Sequence, residues 1–515
     1  MKLLTTSQMR AVEQQADASG LSYAEMMENA GSGLAEIIEN EYGYYAAEGI
    51  LALVGKGNNG GDALVALTYL AENEWRCTAY LAADRPNDPL VARLRAAGGE
   101  ILLASAGTAS ELLPDALASH PLLLDGLLGT GFHLPLRGSL LKLLTHLHTL
   151  LADFDEPPTI IAVDCPSGLD CDTGEVAPET LPADLTVTMA AAKPGFYAFP
   201  GAEYTGEIHL SEIGDLDGLS AWDEIHRFVV NEDTVANLIP ERSRNAHKGT
   251  FGTVIGVAGS VNYPGAAMLS GKAAYRVGAG LVTLAVPRPV QPFLAGHFPE
   301  ATWLPLPDKD GFIAMEADEI LRDNLGRATA MLIGPGFGLH EATRHFLARF
   351  LTPELPPLVM DADGLKLLAQ LPGWSERLPP STILTPHPGE MAILTGLSSA
   401  DLQANRLTLA ERYAKEWGHI VVLKGAFTVI ASPDGRTALA PIATPALARA
   451  GTGDVLAGMI TGLRAQGMYA FDAAVAGVWL HGQAGIQAEN ALGNSASVLA
   501  GDILDEIKEV MGTFG

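Results

Sequence analysis

Short apolar runs that stop at a glycine or an aspartate recur along this chain. Ile50-Leu51-Ala52-Leu53-Val54 runs into Gly55, Leu122-Leu123-Leu124 into Asp125, and Ile160-Ile161-Ala162-Val163 into Asp164. Strands are predicted at 50–54, 77–82, 121–125 and 159–163, and segments of helical periodicity at 62–72 and 88–97 separate some of them. Strands alternating with helices imply a parallel sheet with both faces covered. The same grammar restarts at 252–258 and continues through 281–286, 330–333, 358–361, 382–384 and 419–423. At 515 residues the chain exceeds one ordinary core. It is expected to form two tandem α/β domains over residues 1–220 and 226–515, parted at the acidic, glycine-rich stretch 211–222. No short-period repeat is found, which argues against a solenoid.

The formal net charge of −28 argues against nucleic acid or an anionic membrane surface as a partner. A phosphate ligand must then be held locally, by backbone N–H groups and a few basic side chains. Cys77, Cys165 and Cys171 form neither a disulfide framework nor a zinc spacing, and Cys165 and Cys171 are expected to pack as small apolar residues. With no signal peptide and no apolar stretch of ~18 residues, the expectation is a soluble, reduced, cytoplasmic protein.

In VGKGNNGGD, Gly55, Gly57 and Gly60 satisfy G-x-G-x-x-G after a strand, the pattern of a dinucleotide-binding turn. A tight strand-to-helix turn explains the glycines equally well. Two other strand ends shift the balance: Asp125 continues into GLLGTGF and Asp164 into CPSGLD. Ligands of open parallel sheets bind outside the carboxyl ends of the strands, so three such ends facing one crevice make a site. Desolvation at the crevice suits Asp164 to proton transfer, the bland alternative being a helix N-cap. Asn59, Asp125 and Ser167 offer oxygen without imidazole or thiolate, a set suited to a hard cation. An acidic ribose ligand has no clear counterpart, Asp84 alone lying near the expected ~20-residue spacing.

GKGNNGGDALVAL, DGLLGTGFHLPLRG and AVDCPSGLDCDTGEV together resemble the NAD(P)H-hydrate epimerase domain, over residues 1 to about 216. The resemblance implies a Rossmann-like three-layer α/β/α fold, a potassium ion, and a damaged, hydrated dinucleotide as substrate. Carried over, Asn58, Asn59, Gly60, Gly61 and Asp62, with Gly129, Thr130, Gly131, Phe132, His133, Leu134 and Pro135, would cradle phosphates and ribose. Asn59, Asp125 and Ser167 would bind potassium, and Asp164 would contact the substrate and manage protons as C6 of the ring inverts.

In the second half, Gly451-Thr452-Gly453-Asp454 precedes a helical pattern, placing free N–H groups and a carboxylate at a helix mouth, as phosphoryl transfer needs. The run 421–423 leads into Lys424, and two prolines frame His387 in TPHPGE. GTGD before an Ala/Gly-rich helix resembles the ribokinase-like superfamily. HKGTFGTVIGVAGS, YPGAAMLSGKAAYRVGAGLVTLAVP, LIGPGFG, MDADGL, LTPHPGEMAILTG and VVLKGAFTVI, from about residue 228 onward, resemble the NAD(P)H-hydrate dehydratase family. That resemblance implies dehydration of the S epimer to NADH or NADPH at the expense of ADP, releasing AMP and phosphate, with Mg²⁺ stabilising the transferred charge. Ala266, Gly336, His387 and Asp454 would touch the hydrate, with Asp454 catalytic, while Lys424, Gly425, Ala426, Phe427, Thr428 and Gly453 would hold the nucleotide. Asp361 and Asp363 are left without an assigned role. The rival reading is a ribokinase-like vitamin or sugar kinase with a dinucleotide-binding regulatory domain. Either way the expected partners are small molecules and further copies of the chain in a homo-oligomer.

Overall fold

The structure is a computed structural model that describes residues 1–104 and 109–514. Two compact units divide it, Met1–Arg227 and Phe228–Gly515. In the first, β1 (Ile50–Val54), β2 (Cys77–Leu81), β3 (Glu100–Leu103), β4 (Leu122–Gly126), β5 (Thr159–Val163), β6 (Leu185–Met189) and β7 (Glu207–Ser211) form one sheet ordered β3-β2-β1-β4-β5-β6-β7. Every pairing in it is parallel. The two-residue period of a strand sorts its side chains between two cores: Ile50, Ala52 and Val54 face one, Leu51 and Leu53 the other. The first core is walled by α1 (Thr6–Ser19), α2 (Tyr23–Tyr42) and α3 (Asn58–Glu72), through Val12, Leu34, Leu64 and Leu67 among others. Capping boxes start α1 and α2, Thr5 with Gln8 and Ser22 with Glu25.

α3 begins at Asn58, ahead of the helix expected from residue 62. Asn and Gly are poor helix formers, which favours a turn on sequence alone. Tertiary packing overrides this, because Gly60 presses against the end of β1, where a Cβ would stand 2.2 Å from the Gly55 carbonyl oxygen. The acidic stretch after β7 packs within the first unit, with Ile213 and Leu216 buried in its core.

β8 (Arg227–Val229) begins at the last residue of the first unit, and the second unit continues with β9 (Thr253–Val257), β10 (Leu281–Pro287), β11 (Thr302–Leu306) and the hairpin of β12 (Asp308–Lys309) and β13 (Phe312–Ile313). There follow β14 (Ala330–Ile333), β15 (Leu358–Met360), β16 (Ile383–Leu384), β17 (Ile420–Leu423), β18 (Val429–Ala431) and β19 (Thr437–Leu439). Its main sheet runs β11-β10-β9-β14-β15-β16-β17-β18-β19-β8. It is parallel from β11 to β17 and antiparallel at β18 and β19, two strands too short to carry a readable period. Among the parallel strands of each sheet the order reverses once, between β1 and β4 and between β9 and β14. Connections leave toward opposite sides at such a point, and the crevice they open is where ligands bind. Among the described residues no helix is long and apolar enough to cross a membrane.

Candidate functional site

At the first reversal a cleft of about 480 Å³ opens, lined by Lys56, Asn58, Asn59, Asp62, Gly129, Thr130, Gly131, Phe132 and Asp164 among others. Gly60 and Gly61 lie behind its wall, packed on Gly55 and Met27. His133, Leu134 and Pro135 line a separate hollow with Leu136 and Leu140, reached by Phe132 from both sides. α3 opens at Gly57 with no side-chain cap, so its first-turn N–H groups are left for an anion.

Asp125 is buried at the end of β4. Its carboxylate accepts from the Ser167 hydroxyl at 2.6 Å and the Ser167 amide at 2.8 Å, and no ion pair to it forms among the described residues. Burial pushes its pKa up against these hydrogen bonds. Asn59 stands beside this group, its amide donating to the Leu128 carbonyl at 2.8 Å, while the Leu128 amide donates to the Ser167 hydroxyl at 2.9 Å. The three oxygen donors read from the sequence are thus brought into one network, around a carboxylate lacking a cationic side chain.

Asp164 follows β5 at φ +62°, a left-handed conformation that costs most residues about 1 kcal/mol or more. It caps no helix. Its carboxylate forms an ion pair with Lys193 and accepts from the Met189 amide at 3.0 Å. Lys193 is 1% exposed and donates to the Thr188 hydroxyl at 2.6 Å. Sequence reasoning missed this lysine, although a lone cation within Ala190-Ala191-Ala192-Lys193-Pro194-Gly195 was a readable signal. Asp62, across the cleft, is pushed well above the carboxylate range, chiefly by burial and then by the charges of Asp164 and Glu13.

In the second unit five strand ends converge. β15 delivers Asp361 and Asp363, separated by Ala362 at φ +54°. Asp361 takes the Lys424 ammonium from the end of β17 at 2.6 Å and the Thr385 hydroxyl from the end of β16 at 2.7 Å. Asp363 pairs with Lys366 at 3.0 Å and accepts the Gly338 amide, beyond β14, at 2.9 Å. Near it, a Cβ at Gly336 would stand 2.8 Å from that of Ala266, which follows β9. His387 is a helix N-cap: its Nδ1 accepts from the Gly389 amide at 3.0 Å and its Nε2 lies 3.2 Å from Glu390. Burial would raise Glu390, but the hydrogen bond from His387 and the charge of Lys424 hold it below its ordinary value. The turn after Lys424, from Gly425 through Ala426 and Phe427 to Thr428, is anchored by Arg406, whose guanidinium donates to the Leu423 carbonyl at 3.1 Å.

The helix Thr452–Ala465 completes the site. Gly451 precedes it at φ +92°, a conformation open to glycine, and no side chain caps its N–H groups. A Cβ at Gly453 would stand 3.4 Å from Lys424 Nζ and 3.9 Å from Asp361 Oδ2, so the helix start comes within contact distance of this ion pair. Asp454 is raised to about 7 by burial and by the negative charges of Asp361, Asp363 and Glu390, with Lys424 offsetting part of this.

A raised carboxyl binds its proton more tightly folded than unfolded, so its contribution to stability is complete below its ordinary value of 3.8 and is lost as pH rises through about 7. Asp454→Asn removes that loss. Relative to the parent, the variant should gain ~2–3 kcal/mol more at pH 8 than at pH 5, read as the difference in denaturant midpoints. An equal gain at both pH values would contradict the assignment.

Two family models match the chain. One described as YjeF-related protein N-terminus covers residues 23–195, and one described as NAD(P)H-hydrate dehydratase covers residues 254–509. A bifunctional NAD(P)H-hydrate repair enzyme of Moorella thermoacetica is 36% identical, over 99% of this chain and 97% of that one. Another, of Salinibacter ruber, is 37% identical over 99% and 96%. Among solved structures, a ribokinase-like superfamily protein of Enterococcus faecalis matches 56% of this chain and 97% of its own, with 26% identity and a TM-score of 0.50. The chain belongs to the family of bifunctional NAD(P)H-hydrate repair enzymes.

Proposed function

We propose that the first unit interconverts the R and S forms of hydrated NADH and NADPH at C6. The second then dehydrates the S form to NADH or NADPH with ADP, giving AMP and phosphate. What carries this reading is similarity over 99% of the chain to repair enzymes, joined to two strand-end sites of different chemistry.

In the second unit the hydrate lies against Ala266, Gly336 and His387, with the adenine nucleotide along Lys424, Gly425, Ala426, Phe427, Thr428 and Gly453. Asp454, with a pKa of about 7, is matched to taking the ring hydroxyl's proton near neutrality. The oxygen attacks the terminal phosphoryl of ADP and AMP departs, while the N–H groups opening the helix Thr452–Ala465 and the Lys424 ammonium meet the developing charge. Phosphate leaves far more readily than hydroxide, so the N1 electron pair expels it and loss of a C5 proton restores the dihydropyridine. Four carboxylates, Asp361, Asp363, Glu390 and Asp454, face two ammonium groups, Lys366 and Lys424, a formal surplus of two negative charges beside a polyphosphate. That surplus fits Mg²⁺, with Asp361 and Asp363 as its oxygen donors. When bound it would neutralise phosphate charge.

In the first unit the uncapped start of α3 and the loop Gly129, Thr130, Gly131 and Phe132 hold the dinucleotide phosphates. Asn58 and Asp62 line the same wall, and Gly60 and Gly61 let α3 approach. A buried Asp125 with neutral partners fits potassium, held with Asn59 and Ser167. When bound it would supply the positive charge that a diphosphate lacks in this acidic chain. Asp164, paired with Lys193, is the base at C6. We place the enzyme in the cytoplasm, on the strength of three buried free thiols, and carry self-association forward from the α/β architecture alone.

The purified protein given the S hydrate and ADP should release reduced nicotinamide, AMP and phosphate in equal amounts, read by absorbance, chromatography and phosphate assay. A sugar or vitamin kinase would leave the hydrate untouched. Absence of turnover with both ADP and ATP would sink the reading.

A further inference from the structure

The remaining wall of the first unit's cleft is α1, which contributes Arg10 and Glu13. Three residues apart, they share one helix face. Arg10 donates to the Thr130 carbonyl at 3.2 Å, tying the helix to the phosphate loop. At its start, the Thr6 amide and hydroxyl both donate to Asp172 at 2.7 Å, tying it to the segment that follows Asp164. Both ties precede Glu13, and beyond it Gln15 accepts from the Ala221 amide at 2.8 Å, so Glu13 lies on a stretch of α1 fixed on either side. It is half-buried and faces Asp164 and Lys193 across the cleft, with Asp62 on α3 and Arg10 on its own helix; Lys56 and Tyr23 line the same space.

The environments of the two facing carboxyls differ in kind. Asp164 touches an ammonium group and accepts a backbone amide, contacts that stabilise a carboxylate. Burial, and then the charge of Asp164, push the Glu13 carboxyl up, with Lys193 and Arg10 opposing. A carboxyl pushed toward its protonated form, facing across a cleft a carboxyl that accepts an ammonium group, is an arrangement that divides the roles of acid and base.

We propose that Glu13 is the general acid of the first unit's reaction, facing Asp164 as the base. The assignment rests on the reading of this unit as an epimerase. The C6 centre is a hemiaminal, bearing both the hydroxyl and N1. Asp164 removes the hydroxyl proton, C6=O forms, and the C6–N1 bond breaks. Its electron pair passes to N1, which is conjugated through C2=C3 with the carboxamide, and the Glu13 carboxyl delivers its proton there. Rotation about C5–C6 turns the other aldehyde face to N1. N1 re-adds and returns its proton to Glu13, and Asp164 returns its proton to the oxygen, so only the configuration at C6 has changed. Loss of hydroxide instead would leave a ring cation one C5 proton away from the dihydropyridine, making the ADP-driven step redundant.

The test follows conversion of the pure R hydrate to S by chromatography, without ADP, in the full-length chain. Glu13→Gln should lower kcat by about 10²-fold with KM changed far less, and should remove the alkaline limb of the kcat–pH profile. Glu13→Asp should restore part of the rate and the limb, and thermal unfolding of both variants reports that they fold. Parent kcat and pH profile in Glu13→Gln, with turnover lost in Asp164→Asn, would overturn the assignment. Failure of the parent itself to exceed the enzyme-free rate would instead overturn the epimerase reading on which it rests.

Discussion

Asp454→Asn should lower ADP-driven dehydration of the S hydrate by about 10³-fold or more and leave R–S interconversion at the parent rate. The variant keeps the size and burial of the side chain but cannot accept the ring hydroxyl's proton, and loss of a positioned base costs about 10²–10⁴. The Asn side chain can still hydrogen-bond, and the N–H groups of the uncapped helix remain, so residual turnover should lie above the uncatalysed rate. Measuring kcat with saturating hydrate and ADP checks this. Because the isosteric change also relieves a buried charge, lost activity should coincide with gained stability at alkaline pH. A general misfolding defect would instead lower both.

Asp164→Asn should have the complementary phenotype. R–S interconversion should fall by about 10²–10⁴ while the S hydrate is still consumed with ADP. This variant also strands Lys193, 1% exposed, without its carboxylate partner. Breaking a buried pair from one side typically costs about 3–5 kcal/mol, so the first unit should unfold at lower denaturant. Adding Lys193→Met should recover much of that stability and none of the interconversion, which separates the proton-handling role of the pair from its structural one.

The parts of both sites that lie at strand ends were legible because buried parallel strands are short apolar runs, and the residue at which each run stops is the one facing the crevice. Asp125, Asp164 and Lys424 were singled out in that way, while Asp361 closed such a run without a role being assigned to it. What escaped was held by contacts between segments distant in sequence. Lys193 follows β6, whose Thr186 and Thr188 obscure an apolar run, and it meets Asp164 only once β5 and β6 pair. Glu13 sits on an amphipathic helix with no motif of its own, and its neighbours belong to α3, β5 and the turn after β6. Glu390 lies at capping-box spacing from His387, so its tie to that residue was open to reading, while its approach to Lys424 at 3.9 Å depends on the β16–β17 pairing. The early start of α3 was hidden because Asn and Gly propensities describe an isolated chain, whereas the contact of Gly60 with Gly55 exists only in the folded sheet.

The most direct test gives the purified chain an equimolar mixture of R and S hydrates with excess ADP and follows the absorbance of the reduced nicotinamide to its end point. Two cooperating activities predict recovery of the whole hydrate pool, in a fast phase from S and a slower one limited by interconversion. An end point at half the pool, reached no faster than by a dehydratase acting on S alone, would contradict the account.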